Sequence, residues 1–407
     1  MQIAVVKEGD SVDSIASTFQ IPVERFIEDN QIEYPYRLAV GQALLIREQG
    51  EVEVKPTLVD KMDRMEGNDT GEIFPFKQPV QAGGYAYPFI EQQILRETLP
   101  YLTKVLVFSY GFTEEGELTK PPYPPKRMLE EIEKGGRSTV MVLTPIKADG
   151  YFDSALVSTL VRSEKAQSRL LREMWREAET KGYRGINIDF EYVKAEDKKL
   201  YAAFVRRATA LFHLFGISLS VALVPKTSAD QKGLLYEGID YYALGAASDE
   251  VILMTYEWGY TYSEPMAVAP IHMVRRVAEH ALTEIPREKI LLGIPNYGYD
   301  WPLPYEKGRT RAESLGTLEA IRLAVDHGAV IQFDERSKTP WFRYWQYGVQ
   351  HEVWFEDVRS LLAKFQLAGE LGLRGVMYWQ LMRFYRAGWL LLNYLFQVDG
   401  AENFLLK

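Results

Sequence analysis

Residues 185–193 read GINIDFEYV, and within them Asn187, Asp189 and Glu191 recur at every second position. Alternate side chains of a strand share a face, so an amide and two carboxylates form one row, the acids about 7 Å apart. Ile186, Ile188 and Phe190 make the opposite face apolar. Acid-x-acid pairs also occur at Glu51/Glu53, Glu115/Glu117 and Glu131/Glu133. What separates Asp189 and Glu191 is their setting inside an apolar strand, where unpaired charge is expensive. A Glu whose pKa is raised by a neighbouring Asp can protonate a leaving oxygen. Two acids on one strand face do not flank a glycosidic bond from opposite sides, as ordinary retention requires. Without a nucleophile across the sugar, the 2-acetamido oxygen of a substrate can attack in its place.

The elements that must position this row are short apolar runs separated by amphipathic helices. The runs cover 83–88, 105–110, 139–144, 185–191, 217–223, 251–258, 290–297 and 375–381. Between them, Leu200, Phe204, Ala208, Leu211 and Phe215 recur at helical spacing, as do Leu170, Leu171, Met174, Trp175 and Ala178. Eight strands alternating with helices predict an α/β fold, a (β/α)8 TIM barrel. Glu191 ends the fourth run, at the open end where barrel sites are built. The stretch from Tyr297 to Gly375 exceeds one helix, and AVIQFD, WFRYWQY and HEVWFED read as extra strands. A small α+β insertion at about 305–355, between strands 7 and 8, is expected.

Composition bounds the function. The chain has 407 residues, 47% hydrophobic and 25% charged, with a formal net charge of -9. The pI near 5.4 disfavours nucleic acid and anionic membrane surfaces. No apolar run approaches the ~20 residues that span a bilayer. The start, MQIAVVKEGD, lacks the charged and apolar regions of a secretory signal. Cysteine is absent and the five histidines are scattered, so no metal site and no cofactor is expected. No protein partner is inferable. The 25 Tyr, 19 Phe and 8 Trp suit either a large aromatic core or stacking on sugar rings.

The first 48 residues read as a separate unit of strand, two helices and strand. Gly9, Asp10 and Ser11 supply a turn and a helix N-cap. VVKEGDSVDSIASTFQIPVERFIEDN followed by LAVGQALLI resembles a LysM module, a small fold that binds N-acetylglucosamine-containing glycans. The match runs from Ile3 to Ile46 and includes Ile15-Ala16, Asn30 and Gly41-Gln42. The resemblance puts the glycan between the loop of Gly9, Asp10, Ser11 and Val12 and the loop from Tyr36 to Leu38. Residues 49–80 are charged and aperiodic and read as a linker, leaving 81–407 for the barrel domain. A module so tethered would act by local concentration.

GINIDFE is similar to the signature of family 18 glycoside hydrolases at Gly185, Asp189 and Glu191. MTYEW resembles the family's sixth-strand motif, GIPNYG its seventh and GVMYWQ its eighth. The resemblance implies that Glu191 is the general acid and then the base. Asp189 would orient the acetamido group, Tyr256 would donate to its oxygen, Trp379 would floor the −1 subsite, and Tyr297 would shape it. Departures are Arg184 and Asn187 at the signature's first two Asp positions, and Glu257 for an Asp on the sixth strand. Asn187 and Glu257 therefore count as substrate-binding candidates of altered chemistry. The departures and the LysM point to the spore-associated, cortex-lytic N-acetylglucosaminidases of endospore-forming bacteria, made in the mother cell without a signal peptide and acting in the coat and cortex region. The substrate implied is peptidoglycan or a chitin-like glycan. A chitinase or chito-oligosaccharide hydrolase, and a non-catalytic glycan-binding coat protein, are the alternatives.

Overall fold

The computed structural model describes residues 1–47, 73–147 and 152–401. Most of the expected linker lies outside the described residues. From Ile73 to Gln78 the chain runs without regular structure into the first barrel strand.

At the N-terminus, β1 (Gln2–Val5) pairs antiparallel with β2 (Ala43–Ile46). Between them lie helices Val12–Thr18 and Val23–Asn30. Ser11 and Ser14 exchange side-chain and backbone bonds at 3.1 and 2.9 Å, a reciprocal cap that starts the first helix. Asn30 does more than end the second helix. Its amide donates to Phe26 O and Leu45 O and accepts from Leu45 N at 2.7 Å, tying the helix to β2. Val6, Val12, Ile15, Phe26, Leu44 and Ile46 fill a small core.

The barrel begins with β3 (Pro79–Ala86) and β4 (Lys104–Phe112), the latter carrying a short antiparallel appendage, β5 (Leu118–Thr119). It continues through β6 (Ser138–Leu143), β7 (Gly185–Ile188), β8 (Ser218–Leu223), β9 (Glu250–Leu253) and β10 (Ile290–Pro295). The chain then leaves for an inserted antiparallel sheet. Its strands are β11 (Gly298–Leu303), β12 (Glu313–Leu315), β13 (Gln332–Asp334), β14 (Thr339–Gln346) and β15 (Val349–Trp354). They order as β12-β11-β15-β14-β13, with helix Thr317–Asp326 beside them. The barrel resumes with β16 (Gly375–Trp379), and β17 (Gln397–Val398) adds to the edge of β3. All barrel pairings are parallel, and β3 pairs with both β16 and β4, which closes the eight-stranded cylinder.

Two boundaries differ from the sequence expectation. The fourth strand ends at Ile188, so Asp189 and Glu191 lie just beyond it. Asp189 N still donates to Leu143 O at 2.9 Å, which carries the ladder one residue further. The inserted sheet starts at Gly298, earlier than about residue 305, because β11 follows β10 after only Asn296 and Tyr297. Among the described residues, no helix is long and apolar enough to cross a membrane.

The N-terminal unit does not hang free. Met1, Ala43 and Leu45 pack into the core shared with the barrel, and Ala39 packs into that of the insertion. Ile331 N donates to Val40 O at 2.8 Å, and Arg386 N donates to Gln31 Oε1 at 2.6 Å. Ion pairs Arg37–Asp326, Arg322–Glu33 and Arg386–Glu28 surround these contacts.

Candidate active site

The strand alternation decides which side chains enter the barrel. Ile186 and Ile188 pack outward with the helices, whereas Asn187 is fully buried among inward groups. Asn187 Oδ1 accepts from Tyr85 OH at 3.1 Å, and its Nδ2 donates to Ser220 Oγ at 3.0 Å. Both its oxygen and its nitrogen are therefore bonded within the protein, two positions before Asp189.

Asp189 is 4% exposed, and its Oδ1 has no hydrogen-bond partner among the described residues. Burial, and then the charge of Glu191, push its pKa well above the usual carboxylate range. Glu191 is pushed up to about 7, first by burial and then by the charge of Glu257. It therefore holds a proton near neutrality that an exposed Glu would have lost. Tyr256 is buried and its phenol stays protonated, because burial and the charges of Asp189, Glu191 and Glu257 all oppose ionisation. Its ring lies over Gly293 of β10, where a Cβ would come within 2.8 Å of the ring.

Trp379 ends β16 and meets Tyr85, Tyr87 and Phe108 edge-on, with centroids 5.4, 6.3 and 4.9 Å away. Together these rings make an apolar floor beside the two acids. Glu257, after the sixth strand, adopts φ +67, a left-handed conformation uncommon for any residue with a Cβ. Its Oε1 accepts from Tyr297 OH at 2.5 Å and Tyr299 OH at 3.0 Å. Burial raises its pKa, and the bonds from the two phenols offset only part of that rise.

The barrel candidates Asn187, Asp189, Glu191, Tyr256, Glu257, Tyr297 and Trp379 thus converge on one mouth. Gly9, Asp10 and Ser11 form an exposed turn on the N-terminal module, where Asp10 accepts from Lys7 N and Ser11 caps its helix. Arg184 lies at the other end of the barrel, in a polar pocket with Lys104, Glu250 and Arg374. Its departure from the signature is remote from the acids. Sequence reading missed Tyr85 and Tyr299. Tyr299 follows Tyr297 by two residues, and its bond to Glu257 depends on where the inserted strand is placed. Among the described residues, no three His, Cys, Asp or Glu side chains gather to hold a metal ion.

A closed parallel barrel, with a proton-bearing Glu beside a buried Asp over an aromatic floor, has the build of a glycoside hydrolase. Residues 88–383 match Glycosyl hydrolases family 18, and residues 4–47 match the LysM domain. The chain belongs to glycosyl hydrolases family 18 and carries an N-terminal LysM domain. It is 39% identical to the cortical fragment-lytic enzyme of Bacillus subtilis (strain 168), over 98% of this chain and 99% of that one. The corresponding enzyme of Bacillus anthracis is 32% identical, over 100% and 99%. Among solved structures, the spore cortex-lytic enzyme SleL of Bacillus cereus superposes with a TM-score of 0.90 at 32% identity, over 99% of each chain.

Proposed function

We propose that this glycoside hydrolase is an N-acetylglucosaminidase that cleaves cortex peptidoglycan of spores, with retention, using the substrate's own acetamido group as nucleophile. Glu191 gives its proton to the leaving oxygen and then takes one from water. Asp189 holds the acetamido N–H, Tyr256 donates to the acetamido oxygen, and Trp379 closes the subsite below. The observation that carries this reading is the buried Oδ1 of Asp189, which has no hydrogen-bond partner among the described residues and can accept from an N–H. An unsatisfied buried acceptor is costly, so a substrate that satisfies it gains binding. Glu257, the other acid of the mouth, accepts two phenolic bonds on one oxygen, which suits an orienting group better than a nucleophile. The relatives named for cortex lysis support the substrate, and the LysM domain supports glycan capture. By the same likeness, the protein works at the spore cortex.

The test uses soluble cortex fragments with N-acetylglucosamine or glucosamine at the cleaved sugar. The N-acetylated fragments should be cut with retained β configuration, and a thiazoline analogue should inhibit. Rapid cleavage next to glucosamine, or inverted product, overturns the mechanism.

A further inference from the structure

Tyr299 belongs to the inserted sheet, yet its hydroxyl lies in the barrel mouth. It is the second residue of β11, which leaves β10 after only two residues, and it is 6% exposed. Its partner is the one acid of the mouth that sits on a strained backbone, Glu257 at φ +67. A left-handed conformation at a residue with a Cβ persists only where its surroundings fix it, and such residues cluster at working sites. Two phenols converging on a single carboxylate oxygen are such a fixture.

We propose that Tyr299 is a positioning residue for catalysis. By donating to Glu257, it secures a negative charge facing Glu191 and thereby keeps the proton on the acid. The inserted sheet thus takes part in proton transfer without touching the glycan. This inference rests on the assignment of Glu191 as the acid.

Among the described residues, the groups that act directly on Glu191 and Glu257 are anionic or neutral. Glu191 is faced by Asp189, by Glu257, by Tyr256, by Tyr85 of β3 and by Tyr192. Glu257 is faced by Glu191, Tyr256, Tyr297 and Tyr299. Arg383 enters only through its field on Tyr299. Among the described residues no Lys or Arg pairs with Glu257, so phenolic donors are what favour its charged form. Without the Tyr299 hydroxyl, Glu257 protonates more readily, its repulsion of a charge on Glu191 weakens, and Glu191 releases its proton at lower pH.

The experiment is the pH dependence of kcat/KM, which reports the groups of the free enzyme, on soluble N-acetylated cortex fragments. Y299F and E257Q are compared with the wild-type chain, with folding checked by circular dichroism. The alkaline limb should move down by about 1 pH unit in E257Q, where the charge is gone, and by less in Y299F. A uniformly slower Y299F with an unmoved limb would show a merely structural tyrosine and overturn the proposal. If Y299F does not fold, E257Q decides, and an unmoved limb there overturns it equally. Failure of the acid assignment itself would appear separately, as undiminished turnover in E191Q.

Discussion

A Cβ placed on Gly41 would lie 1.9 Å from the carbonyl oxygen of Ile331, so the backbone of the LysM domain touches the backbone of the inserted sheet's approach. Arg359, at the start of the helix that precedes the last barrel strand, donates to Gly41 O at 3.2 Å from the other side. The domain is held at a junction of barrel and insertion, and its contact is made at a position where no side chain fits.

Gly9 offers a matched control for that contact. Both glycines have φ +85, but a Cβ on Gly9 meets nothing within 4 Å. Gly9→Ala should therefore cost only the left-handed backbone penalty, about 1–2 kcal/mol. Gly41→Ala adds a steric conflict and should cost about 1–3 kcal/mol more. Urea unfolding of the two variants checks this, and equal losses would mean that the docked contact does not exist in solution.

Truncation follows from the same junction. A domain on a flexible tether could be removed with hydrolysis of small soluble fragments left intact. Removing residues 1–47 instead uncovers Ile331, the helix bearing Arg386 and the core that receives Met1, Ala43 and Leu45. The truncated chain should lose thermal stability and lose activity on small fragments together with its folded fraction. Full activity and an unchanged melting temperature would restore the tethered picture.

Sequence alone located the barrel because alternation between apolar runs and amphipathic helices is a local signal, as are the acids at the end of the fourth run. The family resemblance named Asp189, Glu191, Tyr256 and Trp379, and the fold brings them together at or just past the ends of three barrel strands. Sequence did not show the docking of the LysM domain, because Gly41 looks like any turn glycine until Ile331 is brought against it from far along the chain. Tyr299 was hidden for a related reason. Nothing in GYDWPL separates the end of a barrel strand from the start of an inserted one, and the bond to Glu257 exists only once both strands are placed. Arg184 and Asn187 are both departures from the signature, and only Asn187 is expected near the substrate. The fold separates them, one to the far end of the barrel and one to the barrel interior, bonded to Tyr85 and Ser220.

Glu191→Gln tests chemistry and stability at once. Loss of the transferable proton should lower turnover by at least ~10²-fold while glycan binding survives. The folded protein holds this proton up to about pH 7, whereas an ordinary Glu releases it near 4.5. The native state therefore binds more protons across that window, and wild-type stability falls as pH rises through it. A neutral Gln carries no such dependence. The variant should match the wild type at pH 4 and exceed it in stability at pH 8, as read by urea denaturation at both values. A constant difference would show that the acid is not raised in the folded state.

Asn187→Asp restores a carboxylate that the signature would place two positions before Asp189, and the surroundings of Asn187 foretell its effect. The present amide is fully buried, donates to Ser220 Oγ and accepts from Tyr85 OH. A carboxylate keeps the bond from Tyr85 but cannot donate to Ser220. That hydroxyl now donates to Ile186 O at 3.3 Å, and it would have to turn toward the new acid and abandon the carbonyl. When ionised, the new group also places a negative charge close to Asp189 and Glu191, and among the described residues no Lys or Arg pairs with either acid. Both effects grow with pH, because protonation gives the new group a donor and removes its charge. The variant should lose about 1–3 kcal/mol at pH 8 and distinctly less at pH 5. The alkaline limb of kcat/KM should shift upward, opposite in sign to Glu257→Gln, because added negative charge holds the Glu191 proton more tightly. A downward shift, or a stability loss of equal size at both pH values, would contradict the coupling of Asn187's position to the acid pair.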